Sequence, residues 1–165
     1  KQNKIGLIVG SFFDTKRNEH ISYGALTAQG KRVAPNGSPQ YFDGAMGGNC
    51  VLVPREVFLR VGNLYHEFSH GIADYDYAYM VRKAKLGTYV ASSVLGYCSA
   101  NKKYADRLSV IRKMPLAERI GFFYSPKGGA LREYCIFKRR HWGSRWIISW
   151  LNCWLKILFP TIFLR

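Results

Sequence analysis

The stretch Gly-Gly-Asn-Cys-Val-Leu-Val-Pro-Arg-Glu-Val-Phe-Leu-Arg-Val-Gly, residues 47–62, carries the clearest local structure signals in the chain. Small residues lead into the apolar run Cys50–Val53, which predicts a buried strand. Pro54 suits the first position of a helix, and Gly62 suits the residue just after one. The stretch therefore predicts a strand followed at once by a short helix over Pro54–Val61.

A second helix is predicted over Asp74–Leu86, with Gly87 as its cap. Its apolar residues recur at helical spacing: Tyr77, Met80, Val81 and Ala84. The run Thr88–Leu95 predicts a further strand, and so does Ile5–Val9 near the start of the chain. Strands that alternate with helices in this order indicate an α/β layered fold.

The segments before residue 41 carry weaker signals. Thr15–His20 is polar and predicts a loop, whereas Ser22–Leu26 is compatible with a strand. Thr27–Gln40 contains two glycines and two prolines, so it is predicted to be mostly loop.

Composition places the chain among globular proteins with a strongly basic surface. A length of 165 residues and 48% apolar content fit a domain with a proper core. The net charge is +15, and residues 101–145 hold 12 Lys and Arg residues against 3 Asp and Glu residues. Such a block is either a solvated surface or a site for nucleic acid, anionic lipid or a nucleotide-type substrate. Because residues 102–145 contain no recognisable nucleic-acid-binding motif, we expect no nucleic-acid partner.

The cysteines Cys50, Cys98, Cys135 and Cys153 are widely separated and form no Cys-x-x-Cys motif. This spacing predicts reduced, mostly buried thiols in a cytoplasmic protein.

His66-Glu67-x-x-His70 matches the signature of zinc proteases, in which two imidazoles at i and i+4 hold the metal and the glutamate is the base. That site requires a long helix, but Gly62 and Gly71 leave room for only about two turns. Zinc ligation by His66 and His70 is the alternative hypothesis, and a solvated surface turn is the simpler interpretation.

Asp74-x-Asp76 is an acidic pair at the start of the second predicted helix. Asp74 suits the N-cap, and Asp76 would interact favourably with the helix dipole. A carboxylate held at a helix start is also fixed in direction and kept ionised, as a general base for a hydroxyl group must be. The small-residue stretch Gly44–Asn49 would let a ligand approach the backbone closely.

Several motifs follow one another in a set order: Gly47–Gly62, Asp74-Tyr-Asp-Tyr, Arg82, Lys83-Ala-Lys-Leu-Gly87, Ser125-Pro-Lys-Gly128, Arg132-Glu133 and Lys138-Arg-Arg-His-Trp-Gly143. In this order they resemble the second half of a family 2 glycosyltransferase of GT-A fold, and the later motifs resemble the tails of bacterial members. The resemblance covers nearly the whole chain.

The resemblance implies the transfer of a sugar, with inversion, from a nucleotide-sugar donor to a saccharide acceptor. That acceptor would be lipid-linked or part of a cell-surface polysaccharide. Asp74 would be the catalytic base that deprotonates the acceptor hydroxyl, and Asp76 would shape the acceptor site. The other implied acceptor- or substrate-binding residues are Gly47, Gly48, Asn49 and Arg82.

The chain departs from the family pattern at three points. Ala73 stands where an acidic residue is usual, and Cys98 falls near the place where some relatives carry a metal-assisting histidine. The nucleotide-binding half, with its own metal-binding Asp-x-Asp, has no counterpart. Since the chain begins at Lys1 without an initiator Met or a signal peptide, we expect it to be the C-terminal half of a longer enzyme, inactive alone. The divalent metal, Mg²⁺ or Mn²⁺, would be bound mainly by the other half.

The last 20 residues are apolar and rich in Trp. On a helix, Arg145, Ser149, Asn152 and Lys156 form one polar stripe. The remaining apolar face comprises Trp146, Ile147, Trp150, Leu151, Trp154, Leu155 and Leu158. This pattern predicts an in-plane amphipathic helix over residues 146–165, and residues 138–165, with the basic residues from Lys138 onward, would contact an anionic membrane surface. A helix packed against the other half of the enzyme is the alternative.

The predicted fold is thus α/β: a partial GT-A, Rossmann-like mixed sheet (the C-terminal half), a basic helical extension and an amphipathic C-terminal helix. The predicted boundaries are 1–101 for the acceptor-side half-domain, 102–145 for the extension and 146–165 for the membrane-associating helix. The expected location is the cytoplasm, peripheral on the inner face of the cell membrane.

Overall fold

The computed structural model describes residues 6–69, 71–100, 104–126 and 128–163. The chain divides into two compact units, Lys1–Ala100 and Asn101–Arg165. The first combines a mixed sheet with two helices, and the second contains helices joined by short turns in its described residues. The predicted α/β class is therefore confirmed at the level of a mixed sheet with several helices.

Within the described residues, five strands form the sheet of the first unit: β1 (Gly6–Asp14), β2 (Arg17–Tyr23), β3 (Gln40–Tyr41), β4 (Val51–Leu52) and β5 (Gly87–Tyr97). The order is β2-β1-β5-β3, and β4 also pairs with β1. β1 and β5 run parallel, from the pair Gly6 and Gly87 to the pair Phe13 and Tyr97. The pairs β1–β2, β1–β4 and β3–β5 are antiparallel, so the sheet is mixed.

Two helices pack on this sheet: α1 (Arg55–Val61) and α2 (Ile72–Lys83). α1 confirms the helix predicted after Pro54, which is its N-cap, and Gly62 is its C-cap. The core of the unit joins the strands to both helices through fully or nearly fully buried side chains: Leu7, Val9, Ala25, Phe42, Met46, Val57, Tyr77, Ala78, Val81, Leu86 and Val90. Burial of these side chains is the main source of stability of the unit.

Four local predictions need correction. Thr15–His20 is not a loop throughout, because β2 begins at Arg17. This polar strand is stabilised by pairing with β1 and by the hydrogen bond that the Ser22 hydroxyl donates to the Cys98 carbonyl at 2.6 Å. β4 has two residues instead of four, since it pairs only with Ile8 and Val9 of β1. α2 ends at Lys83, and Gly87 opens β5 instead of capping the helix. α2 also starts earlier than predicted, as described below.

The second unit contains α3 (Tyr104–Lys113), α4 (Leu116–Tyr124), α5 (Leu131–Trp142), a 3₁₀ turn (Gly143–Arg145), α6 (Trp146–Leu158) and α7 (Pro160–Phe163). Its core is built on Ile111, Phe123, Leu131 and Ile157. The buried guanidinium of Arg119 donates to the carbonyls of Ile157 and Met114 and so satisfies an acceptor in the last turn of α6. None of the helices in the described ranges has both the length and the apolar content needed to cross a bilayer.

The thiols are more accessible than the sequence predicts. Cys50 is exposed, and Cys98, Cys135 and Cys153 are half-buried; all four are free thiols. Burial raises the pKa of both Cys135 and Cys153.

Candidate functional site

The candidate site is centred on Asp74 in the first turn of α2. Gly71 is the N-cap of this helix, with a positive φ of 52° that favours glycine. Asp74 is therefore the third helical residue and not the cap that the sequence suggests. Its Oδ2 accepts a hydrogen bond from the backbone N–H of Gly48 at 2.8 Å. That bond and the positive end of the helix dipole both stabilise negative charge on this carboxylate.

The small-residue stretch Gly44–Asn49, which we call the glycine stretch, contacts this carboxylate directly through Gly48. A Cβ atom at Gly48 would overlap the carboxylate of Asp74, so the close approach requires glycine. Gly47 donates its N–H to the Gly24 carbonyl at 3.1 Å, which ties the stretch to the end of β2. The side-chain amide of Asn49 donates to the Sγ of Cys98 at 3.8 Å.

A cavity of about 330 Å³ opens beside Asp74. Its lining is mainly apolar, with Asp74 as the one carboxylate among the residues Met46, Gly48, Val51, Val53, Phe58, Asn63, Leu64, Asp74 and Tyr77. These residues come from the glycine stretch, β4, α1 and the start of α2. A few polar groups in an otherwise apolar cavity are typical of small-molecule sites. The arrangement allows Asp74 to accept a proton from a hydroxyl group bound there.

Tyr77 connects this cavity to the end of α1. Its hydroxyl donates to the Gly62 carbonyl at 2.9 Å, and burial raises the pKa of Tyr77. The phenol therefore stays protonated and holds the turn that carries the lining residues Asn63 and Leu64.

Three other side chains of the predicted site, Asp76, Asn49 and Arg82, do not line this cavity. Asp76 is only 2% exposed and does not line the cavity, because residues two apart on a helix point to different faces. Arg82 lies near the end of α2, where its guanidinium donates to the Gly44 carbonyl and contacts the Asp43 carboxylate at 3.3 Å. It also lies 4.5 Å from the centre of the Tyr79 ring. Arg82 thus positions the loop that leads into the glycine stretch.

No family model, curated protein or solved structure matches this chain.

The zinc-type motif does not lie on a helix in the part that the structure describes. His66 and Glu67 occupy a turn, closed by a bond from the Phe68 N–H to the Tyr65 carbonyl at 3.1 Å. His66 is exposed, and its ring lies 4.8 Å from that of Tyr65. His70 lies outside the described residues. Among those residues, no group of three or more His, Cys, Asp or Glu side chains could hold a metal ion.

Sequence inspection missed Arg32 as a neighbour of the site. Its guanidinium donates to the Gly24 carbonyl at 3.0 Å, the same oxygen that accepts the N–H of Gly47. Burial lowers the pKa of Arg32, while the neighbouring Tyr75 and Tyr23 act in the opposite direction. The sequence signal for this part of the site is Gly24, because a glycine directly after an aromatic strand residue indicates a close approach of the backbone. The structure gives Gly24 a positive φ of 140°.

Proposed function

We propose that this chain forms the acceptor side of an inverting glycosyltransferase, with Asp74 as the general base. The observation that carries the proposal is the geometry of one carboxylate. Asp74 is held by the Gly48 N–H at 2.8 Å and lines a cavity of about 330 Å³, large enough for a sugar unit.

The convergence of separate motifs supports this function over a purely structural role for Asp74. The cavity is lined from two segments, the continuous stretch Met46–Leu64 and the first half of α2, which the bond between Gly48 and Asp74 joins across 26 positions of sequence. These are the segments whose order resembles the acceptor half of family 2 enzymes. The contact between Asn49 and Cys98 adds the end of β5 to the same neighbourhood. A GT-A arrangement of the sheet is part of this proposal.

The proposed reaction is one in-line displacement. The acceptor hydroxyl gives its proton to a carboxylate oxygen of Asp74 while its own oxygen attacks the anomeric carbon of the donor. The bond from that carbon to the diphosphate oxygen breaks, the nucleoside diphosphate leaves with the bonding electrons, and the configuration inverts. General-base assistance of this kind typically contributes about 10²–10⁴ in rate.

Within the proposal, the donor diphosphate and its Mg²⁺ or Mn²⁺ bind to a part of the enzyme other than the described residues. Those residues offer no set of three metal-ligating side chains, and Asp74 and Asp76 diverge on α2. This chain's own contributions are to orient the acceptor and to take its proton. A cytoplasmic location, peripheral on the membrane, belongs to the same proposal.

Acceptor-dependent turnover of the intact gene product tests this function. The protein is incubated with a panel of uridine-, guanosine- and cytidine-linked sugars and with lipid extract from its own host as acceptor. We expect one donor to release its nucleotide only when the extract is present, and NMR of the product to show an inverted linkage. Retention of configuration, or failure of the whole panel, would contradict the proposal.

A further inference from the structure

α6 presents an apolar face that the other described residues of its own unit leave exposed. Five of its aliphatic side chains are between 38% and 68% exposed: Ile147, Ile148, Leu151, Leu155 and Leu158. Phe159 and Ile162 extend this face into α7 at 49% and 57% exposure. We call these seven residues the α6 face. A contiguous apolar surface of this kind marks a site of contact with a partner or a membrane.

The opposite side of α6 faces its own unit, which corrects part of the sequence prediction. Ile157 is fully buried, Trp146 and Trp154 are half-buried, and Ile148 joins the exposed face. Ser149, Asn152 and Lys156 of the predicted polar stripe line a cavity of about 310 Å³ together with residues of α3, α4 and α5. The helix is thus held by one side, while its other, apolar side points outward.

The charge of the second unit restricts what can cover the α6 face. Residues 101–165 contain 14 Lys and Arg residues but only 3 Asp and Glu residues. Arg145, directly before α6, and Arg139 on α5 are exposed. Lys138 contributes less, because its ammonium group lies 4.5 Å from the centre of the Trp142 ring. An apolar face on a cationic unit is complementary to a partner that has an apolar interior beneath an anionic surface layer.

We propose that the α6 face docks in the plane of an anionic lipid bilayer. The aliphatic side chains enter the acyl boundary, Trp150 at the edge of the face lies at the headgroup level, and Arg139 and Arg145 contact lipid phosphates. A second copy of this chain fits less well, because it would bring two strongly cationic units together. Docking of this face requires no transferase activity.

Vesicle flotation of the 165-residue chain tests this inference. The vesicles contain phosphatidylcholine alone or phosphatidylcholine with one quarter phosphatidylglycerol, and Trp fluorescence is followed in parallel. We expect at least about tenfold stronger binding to the anionic vesicles, a loss of this preference in 1 M salt, and a blue shift of Trp emission on binding. Equal binding to both vesicle types would overturn the role of charge.

The double variant Ile148→Asp/Leu155→Asp tests the role of the face itself. Both side chains are exposed and the variant should fold, and we expect it to lose binding by at least about tenfold. Leu59→Asp is the matched control, because Leu59 is 70% exposed on α1, and its binding should equal that of the unchanged chain. Undiminished binding in the double variant would overturn the proposal. So would a dimer, measured by light scattering, that the same variant dissociates without any vesicle binding.

Discussion

The backbone N–H of Gly48 donates to Oδ2 of Asp74 at 2.8 Å, across 26 positions of sequence. This bond joins the glycine stretch to the first turn of α2 and fixes the carboxylate beside the cavity. It requires that residue 48 have no side chain, because any Cβ there would occupy the space of the carboxylate. The position of the proposed base is therefore set by the backbone of another segment.

Gly48→Ala should displace the Asp74 carboxylate. We expect a loss of about 1–3 kcal/mol in the free energy of unfolding and, in the intact enzyme, a transfer rate lowered by about 10²-fold. Gly47→Ala is the control, because its Cβ would lie 3.6 Å from the nearest atoms, Oδ1 of Asn49 and the carbonyl oxygen of Gly24, which are ordinary contacts. Urea unfolding and transfer assays on both variants check this. Equal effects of the two substitutions would contradict the role assigned to Gly48.

Arg82 should act through the Gly44 carbonyl more than through Asp43. Arg82→Met removes both contacts, and we expect it to lower the free energy of unfolding by about 1.5–3 kcal/mol. Asp43→Asn removes only the ion pair with a carboxylate that is 71% exposed, so its effect should stay below about 1 kcal/mol. Chemical denaturation of both variants measures the difference. A larger loss in Asp43→Asn would show that the ion pair is the dominant contact.

Cys153 should react slowly with thiol reagents in the folded protein. Burial raises the pKa of its thiol, partly offset by Lys156, so little reactive thiolate exists at pH 8. Cys50 is exposed and should be labelled several-fold faster. Because the folded pKa is raised, the stabilising effect of the neutral thiol is present below pH 9 and is lost as the pH rises further.

Mass spectrometry of the labelled peptides over time gives both rates. In urea the two cysteines should react at similar rates, which is the control for intrinsic reactivity. A folded protein in which Cys153 is labelled as fast as Cys50 at pH 8 would contradict the burial that we describe for α6.

Sequence signals within a single segment predicted the helix whose boundaries depend on residues of that same segment. α1 begins after Pro54 and ends before Gly62, as both residues indicate. The start of α2 was missed, since Asp74 has the properties of a cap but lies in the first turn of the helix, where it accepts the N–H of Gly48. Gly71, at a positive φ, is the N-cap residue that Asp74 was predicted to be. A bond between segments so far apart in sequence leaves no local pattern.

The polar strand β2 was missed for a related reason. Arg17–Tyr23 contains charged and polar residues, and the structure stabilises it through pairing with β1 and through the buried Ser22. In the site, the proximity of Gly48 to Asp74 followed from the resemblance, whereas the roles of Arg32 and Gly24 did not. The resemblance placed Asp76 beside Asp74 in the acceptor site, but helix geometry separates the two side chains.

The most direct test of Asp74 as the general base compares Asp74→Asn with the unchanged intact enzyme in the transfer assay. Asparagine preserves the shape of the side chain and can accept the Gly48 N–H through its amide oxygen, but it cannot take the hydroxyl proton. We predict a kcat lowered by at least about 10²-fold, with the KM for the nucleotide-sugar unchanged within about twofold. Transfer at an undiminished kcat would show that Asp74 is not the base.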